Sequence, residues 1–241
     1  MRRRTILAGT FGLAVAGGLA VTGTAMASPS RQGVAPVPPS PATPDGVQVA
    51  TTVIGNKNGK FPTLRTKKVD TKGEKVLQVD YQVQETGYWC GPAATRIALS
   101  AKVDPPDQAT LASELGTTEN GTDHISQVTT VMTNRSGKNY ATVEMPNDPP
   151  SQEQVDKLWS DVTADIDNGF AIVANIVAPP GNQPPGYPPD QTIYHYFSVI
   201  GYNSDDKKVL IGDPASFNGN QIYWLSFEQL STLIPPKGYA V

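Results

Sequence analysis

The chemistry open to this chain rests on its single cysteine, Cys90, and on one of its two histidines. Cys90 lies in the run Gln84-Glu85-Thr86-Gly87-Tyr88-Trp89-Cys90-Gly91-Pro92-Ala93-Ala94-Thr95. Pro92 has its φ preset and lacks an amide hydrogen that a first helical turn would leave unpaired anyway. The following residues, Ala93 to Ala101, are good helix formers with an apolar stripe at Ala94, Ile97, Ala98 and Ala101. Cys90 is therefore expected at a helix N-terminus, where the partial positive charge of the helix end favours a negatively charged sulfur. Gly91 is expected to leave room for a substrate backbone, and Trp89 to stand beside the cleft. Gln84 lies upstream on the same loop, and its amide could point at the same spot as the Cys90 N–H. Gln82 competes for that position, and the spacing favours Gln84.

A cysteine nucleophile needs a base, and the base needs an orienting group. His195 sits in Ile193-Tyr194-His195-Tyr196-Phe197-Ser198-Val199-Ile200-Gly201-Tyr202, a strand by its β-branched and aromatic content. A polar turn, Asn203 to Asp206, leads to a second strand, Lys208 to Gly212, which ends at Asp213-Pro214. Such a hairpin brings its outer ends together, His195 on one strand and Asp213 on the other. Each residue also has a plainer reading. Free thiols are often buried and inert, a histidine on an apolar strand can be a core residue, and Asp-Pro forms turns. The joint occurrence of all three favours catalysis. His124 reads as a helix-surface residue. With one cysteine and two histidines, a zinc site would need carboxylates to complete it, so neither a metal nor a cofactor is expected.

The elements that must hold these residues follow in a definite order. Residues 75–81 read as a strand leading into the Gln84 loop. After the Cys90 helix come a short helix from Asp107 to Leu115 closed by Gly116, and another from Asp123 to Asn134 capped by Thr122 or Asp123. A strand over 139–145 precedes the clearest helix, Ser151 to Asn168, with Val155, Leu158, Trp159, Val162 and Ile166 at helical spacing. A buried-type strand over 170–177, the two hairpin strands, a short strand around Ile222-Tyr223-Trp224 and a closing helix from Ser226 to Leu233 complete the chain. Helices first and antiparallel strands later is an α+β order. Residues 178–191 form a proline-rich loop just before the His195 strand. Overhanging the cleft, it would let Tyr187 shape what enters; the alternative is a solvated excursion.

The Gln84…Cys90-Gly91-Pro92-Ala93 helix start, the His195…Val199-Ile200-Gly201-Tyr202 strand and Val209-Leu210-Ile211-Gly212-Asp213-Pro214 together resemble the papain-like cysteine peptidases. More narrowly, they resemble the branch related to bacteriocin leader peptidases, the peptidase family C39-like domains. The resemblance spans residues 75–241. It implies a helical half holding the nucleophile against a sheet half holding the base. It further implies that Cys90 is the nucleophile, His195 the general base and acid, Asp213 the orienting residue and Gln84 part of the oxyanion hole. The double-glycine specificity of transporter-fused leader peptidases is not carried over, because the chain is expected to be exported alone, without a transporter domain. The expected activity is peptide-bond hydrolysis. Acyl transfer or deamidation on the same triad, and a binding module on a retired scaffold, remain open.

The beginning of the chain reads as export machinery. Met1-Arg2-Arg3-Arg4, an apolar Gly/Ala-rich run and Ala25-Met26-Ala27 fit a secretory signal peptide over residues 1–27, and the arginines leave room for a twin-arginine route. Residues 28–46 are a Pro-rich linker expected to be disordered. Residues 47–74 are an N-terminal arm or a pro-segment, with a solvated basic cluster at Arg65, Lys67, Lys68 and Lys72. The remaining 75–241 suit one domain. The expected protein is secreted, monomeric and without a stable membrane anchor, and acts on peptide or protein substrates. A net charge of −3 and a pI near 5.4 argue against a nucleic-acid binder.

Overall fold

The computed structural model describes residues 49–241. The expected signal peptide, the linker and the first two residues of the arm lie outside the described residues. Short strands β1 (Thr51–Val53), β2 (Leu64–Thr66), β3 (Val69–Asp70), β4 (Glu74–Val76) and β5 (Asp80–Tyr81) precede helix α1 (Cys90–Leu99). Helices α2 (Gln108–Leu115) and α3 (Ile125–Ser136) follow, then β6 (Thr142–Glu144) and α4 (Gln152–Asp167). The chain closes with β7 (Ile172–Ala178), β8 (Ile193–Asn203), β9 (Lys208–Gly212), β10 (Ile222–Ser226), α5 (Phe227–Leu233) and β11 (Gly238–Ala240). The large sheet runs β10-β9-β8-β7-β11-β6, with β4 paired to the far end of β8 and β3 paired to β4. A smaller sheet runs β1-β2-β5, and the strand pairs of both sheets are antiparallel. This is the expected α+β, papain-like layout, with the Cys90 helix packed on an antiparallel sheet.

Helix α1 is the hub of the core. Every residue from Gly91 to Leu99 is buried, the polar Thr95 and Arg96 included, a wider contact than the one stripe read from the sequence. Ser198 on β8 donates its hydroxyl to Ala94 O at 2.7 Å, so the helix that begins at Cys90 is fastened to the strand that carries His195. A methyl on Gly212 of β9 would stand 3.3 Å from Ile97 of α1, so this strand also lies close against the helix. The other caps follow local chemistry. Asp107 caps α2 and Ser151 caps α4 in a capping box with Gln154. The cap of α3 is His124, displacing the expected Thr122 or Asp123. Its ring accepts from Ser126 N and its own N–H donates to Gln127 Oε1.

The N-terminal arm is not separate from the domain. The expected boundary at residue 75 falls inside β4, and the single strand expected over 75–81 divides into β4 on the large sheet and β5 on the small one. Arg65 of the expected solvated cluster makes a two-pronged ion pair with the buried Asp80 at 2.7 and 2.9 Å, whereas Lys67, Lys68 and Lys72 are exposed. The fully buried Arg96 of α1 donates to Lys57 O in the arm at 2.8 Å and to Asp80 O at 3.2 Å. Burial of a guanidinium is tolerated only with such partners. Strand β11 was not anticipated. It is three residues long and enters between β7 and β6, too short for periodicity to mark it. Among the described residues no helix is long and apolar enough to cross a membrane, and no group of three His, Cys, Asp or Glu could hold a metal ion.

Candidate active site

Cys90 opens α1 with Trp89 at the N-cap, and no side chain caps this helix end. The thiol is half-buried. His195 on β8 is 4 % exposed and Asp213 beyond β9 is 0 % exposed. The hairpin brings them together as the register requires, with His195 Nε2 at 2.8 Å from Asp213 Oδ1. Because Asp213 occupies Nε2, Nδ1 is the ring nitrogen left for Cys90, whose sulfur is near enough to help raise the imidazole. Burial opposes a charge on His195, but the Asp213 carboxylate and then the Cys90 sulfur outweigh it and lift the imidazole to about 10.

Asp213 is held from four sides. Oδ1 accepts from His195 and from Ala215 N at 2.9 Å. Oδ2 accepts from the hydroxyls of Tyr187 at 2.7 Å and Tyr223 at 2.8 Å. Burial alone would raise this carboxyl; the charge on His195 and these hydrogen bonds hold it below the usual carboxylate range. Burial and the Asp213 charge push both tyrosines well above the ordinary phenol range, so they remain donors.

Tyr187 is thus a correction to the expected cleft-lining role. The proline-rich loop turns inward at Gly186, whose φ is +82° and which has no room for a side chain against Phe217 O. The Tyr187 ring then packs on Phe217 with ring centroids 4.4 Å apart, beside the His195 ring. The loop is anchored by Gln229 Nε2 donating to Gln183 O and Asn182 donating to Thr232. Gly91 is a second correction. A methyl on it would lie 2.3 Å from Thr122 Oγ1, so the space above Gly91 holds Thr122 and not a substrate backbone. Thr122 is fixed in turn through its carbonyl, which accepts from Tyr196 OH at 3.1 Å, and Asn175 donates to that hydroxyl at 2.9 Å.

Gln84 lies on the expected loop, tied by Gln84 N donating to Pro214 O at 2.9 Å, next to Asp213. Its Nε2 gives one hydrogen to Thr86 O at 2.9 Å, and a primary amide carries a second. Gln82, the competitor, is buried elsewhere and donates to Lys57 O and Thr63 Oγ1. Trp89 is half-buried beside Tyr88 in an edge-on contact at 6.4 Å. Tyr223 and Gln108 were not singled out in the sequence as site residues. Tyr223 is one of three consecutive buried residues on a short strand and carries no local signal of its partner. The set can do nucleophilic acyl chemistry: a sulfur at a helix start, an imidazole with one nitrogen anchored, and amide donors on the adjoining loop.

The pair also makes stability depend on pH. A histidine raised from 6.5 to about 10 on folding contributes fully below 6.5, and the contribution is lost as pH climbs to about 10. A depressed Asp213 works in the opposite sense, contributing above 3.8 and losing its contribution as pH falls below that. Denaturation midpoints are therefore expected to be highest between about pH 4 and 6.5 and to fall on the alkaline side by an amount on the order of a few kcal/mol. His195→Gln removes the alkaline decline if this pair is its source.

The Peptidase_C39 like family matches residues 76–233. Among solved structures, the crystal structure of a Bacillus anthracis protein described as a candidate C39-like peptidase is similar to this chain. It is 14 % identical, with a TM-score of 0.47, and the alignment covers 71 % of this chain and 97 % of that one. No curated protein matches.

Proposed function

Since this chain belongs to the Peptidase_C39 like family, we propose that it is a cysteine peptidase that hydrolyses peptide bonds by thiol acyl transfer. The observation that carries this reading is the buried His195–Asp213 pair, which leaves one ring nitrogen free, with the half-buried Cys90 near enough to influence the ring. In the proposed cycle His195 takes the Cys90 proton or holds it as an ion pair, and the sulfur attacks the scissile carbonyl. The Cys90 N–H and the second Gln84 amide hydrogen receive the oxyanion. Imidazolium His195 then protonates the leaving amine, and water resolves the thioester. Asp213 keeps the ring oriented and stabilises its charge; the two tyrosines keep Asp213 in place.

Export is part of the proposal, supported by the basic, apolar and small-residue segments within residues 1–27. The test is product analysis of a denatured protein substrate. Hydrolysis gives new amino and carboxyl termini that do not form after iodoacetamide treatment. Incorporation of an added primary amine in place of water would convert the reading to an acyltransferase, release of ammonia without cleavage to a deamidase, and binding without turnover to a retired scaffold.

A further inference from the structure

Gln108 is the first residue of α2, yet it does not serve that helix, whose N-terminus is capped by Asp107. Its side chain is wholly buried and faces the nucleophile loop. Gln108 Nε2 donates to Val83 O at 2.9 Å, and Gln108 Oε1 accepts from Glu85 N at 3.0 Å. These two peptide groups flank Gln84. With Gln84 N on Pro214 O, the backbone on both sides of Gln84 is fixed, while the Gln84 side chain has Oε1 without a partner among the described residues. Buried amides satisfied at both ends are costly to remove, because each lost contact strands a desolvated group.

We propose that Gln108 is a positioning residue for the oxyanion site, acting through Gln84; this rests on the role given to Gln84 above. An oxyanion donor works through preorganisation, and displacement by a fraction of an ångström removes much of its effect. The clamp therefore matters for reactions that pass through a tetrahedral oxyanion and not for those that do not.

Two reagents separate these cases at the same sulfur. With p-nitrophenyl acetate, the Cys90–carbonyl bond forms through an oxyanion and p-nitrophenolate leaves with the electron pair. With iodoacetamide, sulfur displaces iodide directly at a methylene and no oxyanion forms. Gln108→Leu is expected to slow acylation about ten-fold and leave alkylation within about two-fold, a fraction of the full loss of one oxyanion donor. Gln84→Ala is expected to slow acylation at least as much, and the double variant to be no slower than Gln84→Ala alone.

Equal losses in both reactions for Gln108→Leu, or additive losses in the double variant, overturn the proposal. So does unchanged acylation in Gln108→Leu. If Gln84→Ala itself acylates normally, the oxyanion role of Gln84 fails and the proposal falls with it. Gln108→Glu keeps the acceptor for Glu85 and loses the donor to Val83. It is expected to show a smaller loss confined to acylation, and it decides the matter should the leucine variant not fold.

Discussion

Cys90→Ala folds as the parent does and turns over no peptide, with a rate loss of at least about 10⁴-fold. The fold should survive because Cys90 is half-buried and caps nothing. The side chains that hold the site, namely Ser198 on Ala94 O and the donors around Asp213, do not involve the sulfur. The loss should be near total because a nucleophile removed from a covalent mechanism leaves only binding and the oxyanion donors. Cleavage assayed by mass spectrometry, beside a thermal melt, reads both effects. Peptide turnover that persists in a folded Cys90→Ala protein would assign the chemistry elsewhere.

Asp213 gives the second large effect, and two substitutions divide it. Asp213→Ala leaves the His195, Ala215, Tyr187 and Tyr223 donors facing a buried gap. Removing one partner from such a buried network costs about 3–5 kcal/mol, and turnover falls with the disordered imidazole. Asp213→Asn is much milder. Its Oδ1 can still accept from His195 and Ala215, which must donate, while Nδ2 faces the two tyrosine hydroxyls, which can rotate to accept. The fold and the ring orientation are then retained, but the negative charge that raises His195 to about 10 is gone. The alkaline limit of activity should move to lower pH, and the alkaline fall in stability should shrink. Melting curves and pH–rate profiles of the two variants check this; an asparagine variant as unstable as the alanine variant would contradict it.

The sequence made the placement of Cys90, His195 and Asp213 readable because each stands at a point where local rules are strong. Pro92 marks a helix start, and the polar turn at Asn203–Asp206 joins two β-rich runs into a hairpin whose ends must meet. Asp107, Ser151 and Ser226 likewise announce their helices. What was not readable depends on segments far apart in the chain. Nothing near Tyr187 says that its hydroxyl ends on Asp213, since that depends on how the proline-rich loop folds inward at Gly186. Nothing near Gly91 indicates that Thr122 fills the space above it. Gln108 resembles any polar residue at the start of a helix until its two partners in the Gln84 loop are seen. The arm misled for a related reason. Its strands are two or three residues long, and the strands that tie β2 and β4 into the domain, β5 and β8, lie further along the chain.

His195 and Cys90 work as a pair in this mechanism, and the rate of Cys90 alkylation by iodoacetamide as a function of pH, in the folded protein and in His195→Ala, reads that pairing directly. If the pair is assembled, Cys90 alkylates rapidly at neutral pH. The rate drops at least about ten-fold in His195→Ala, since an adjacent imidazolium favours the reactive sulfur anion. A sulfur that alkylates only after denaturation, or at the same rate with and without His195, would contradict the pairing and the peptidase mechanism built on it.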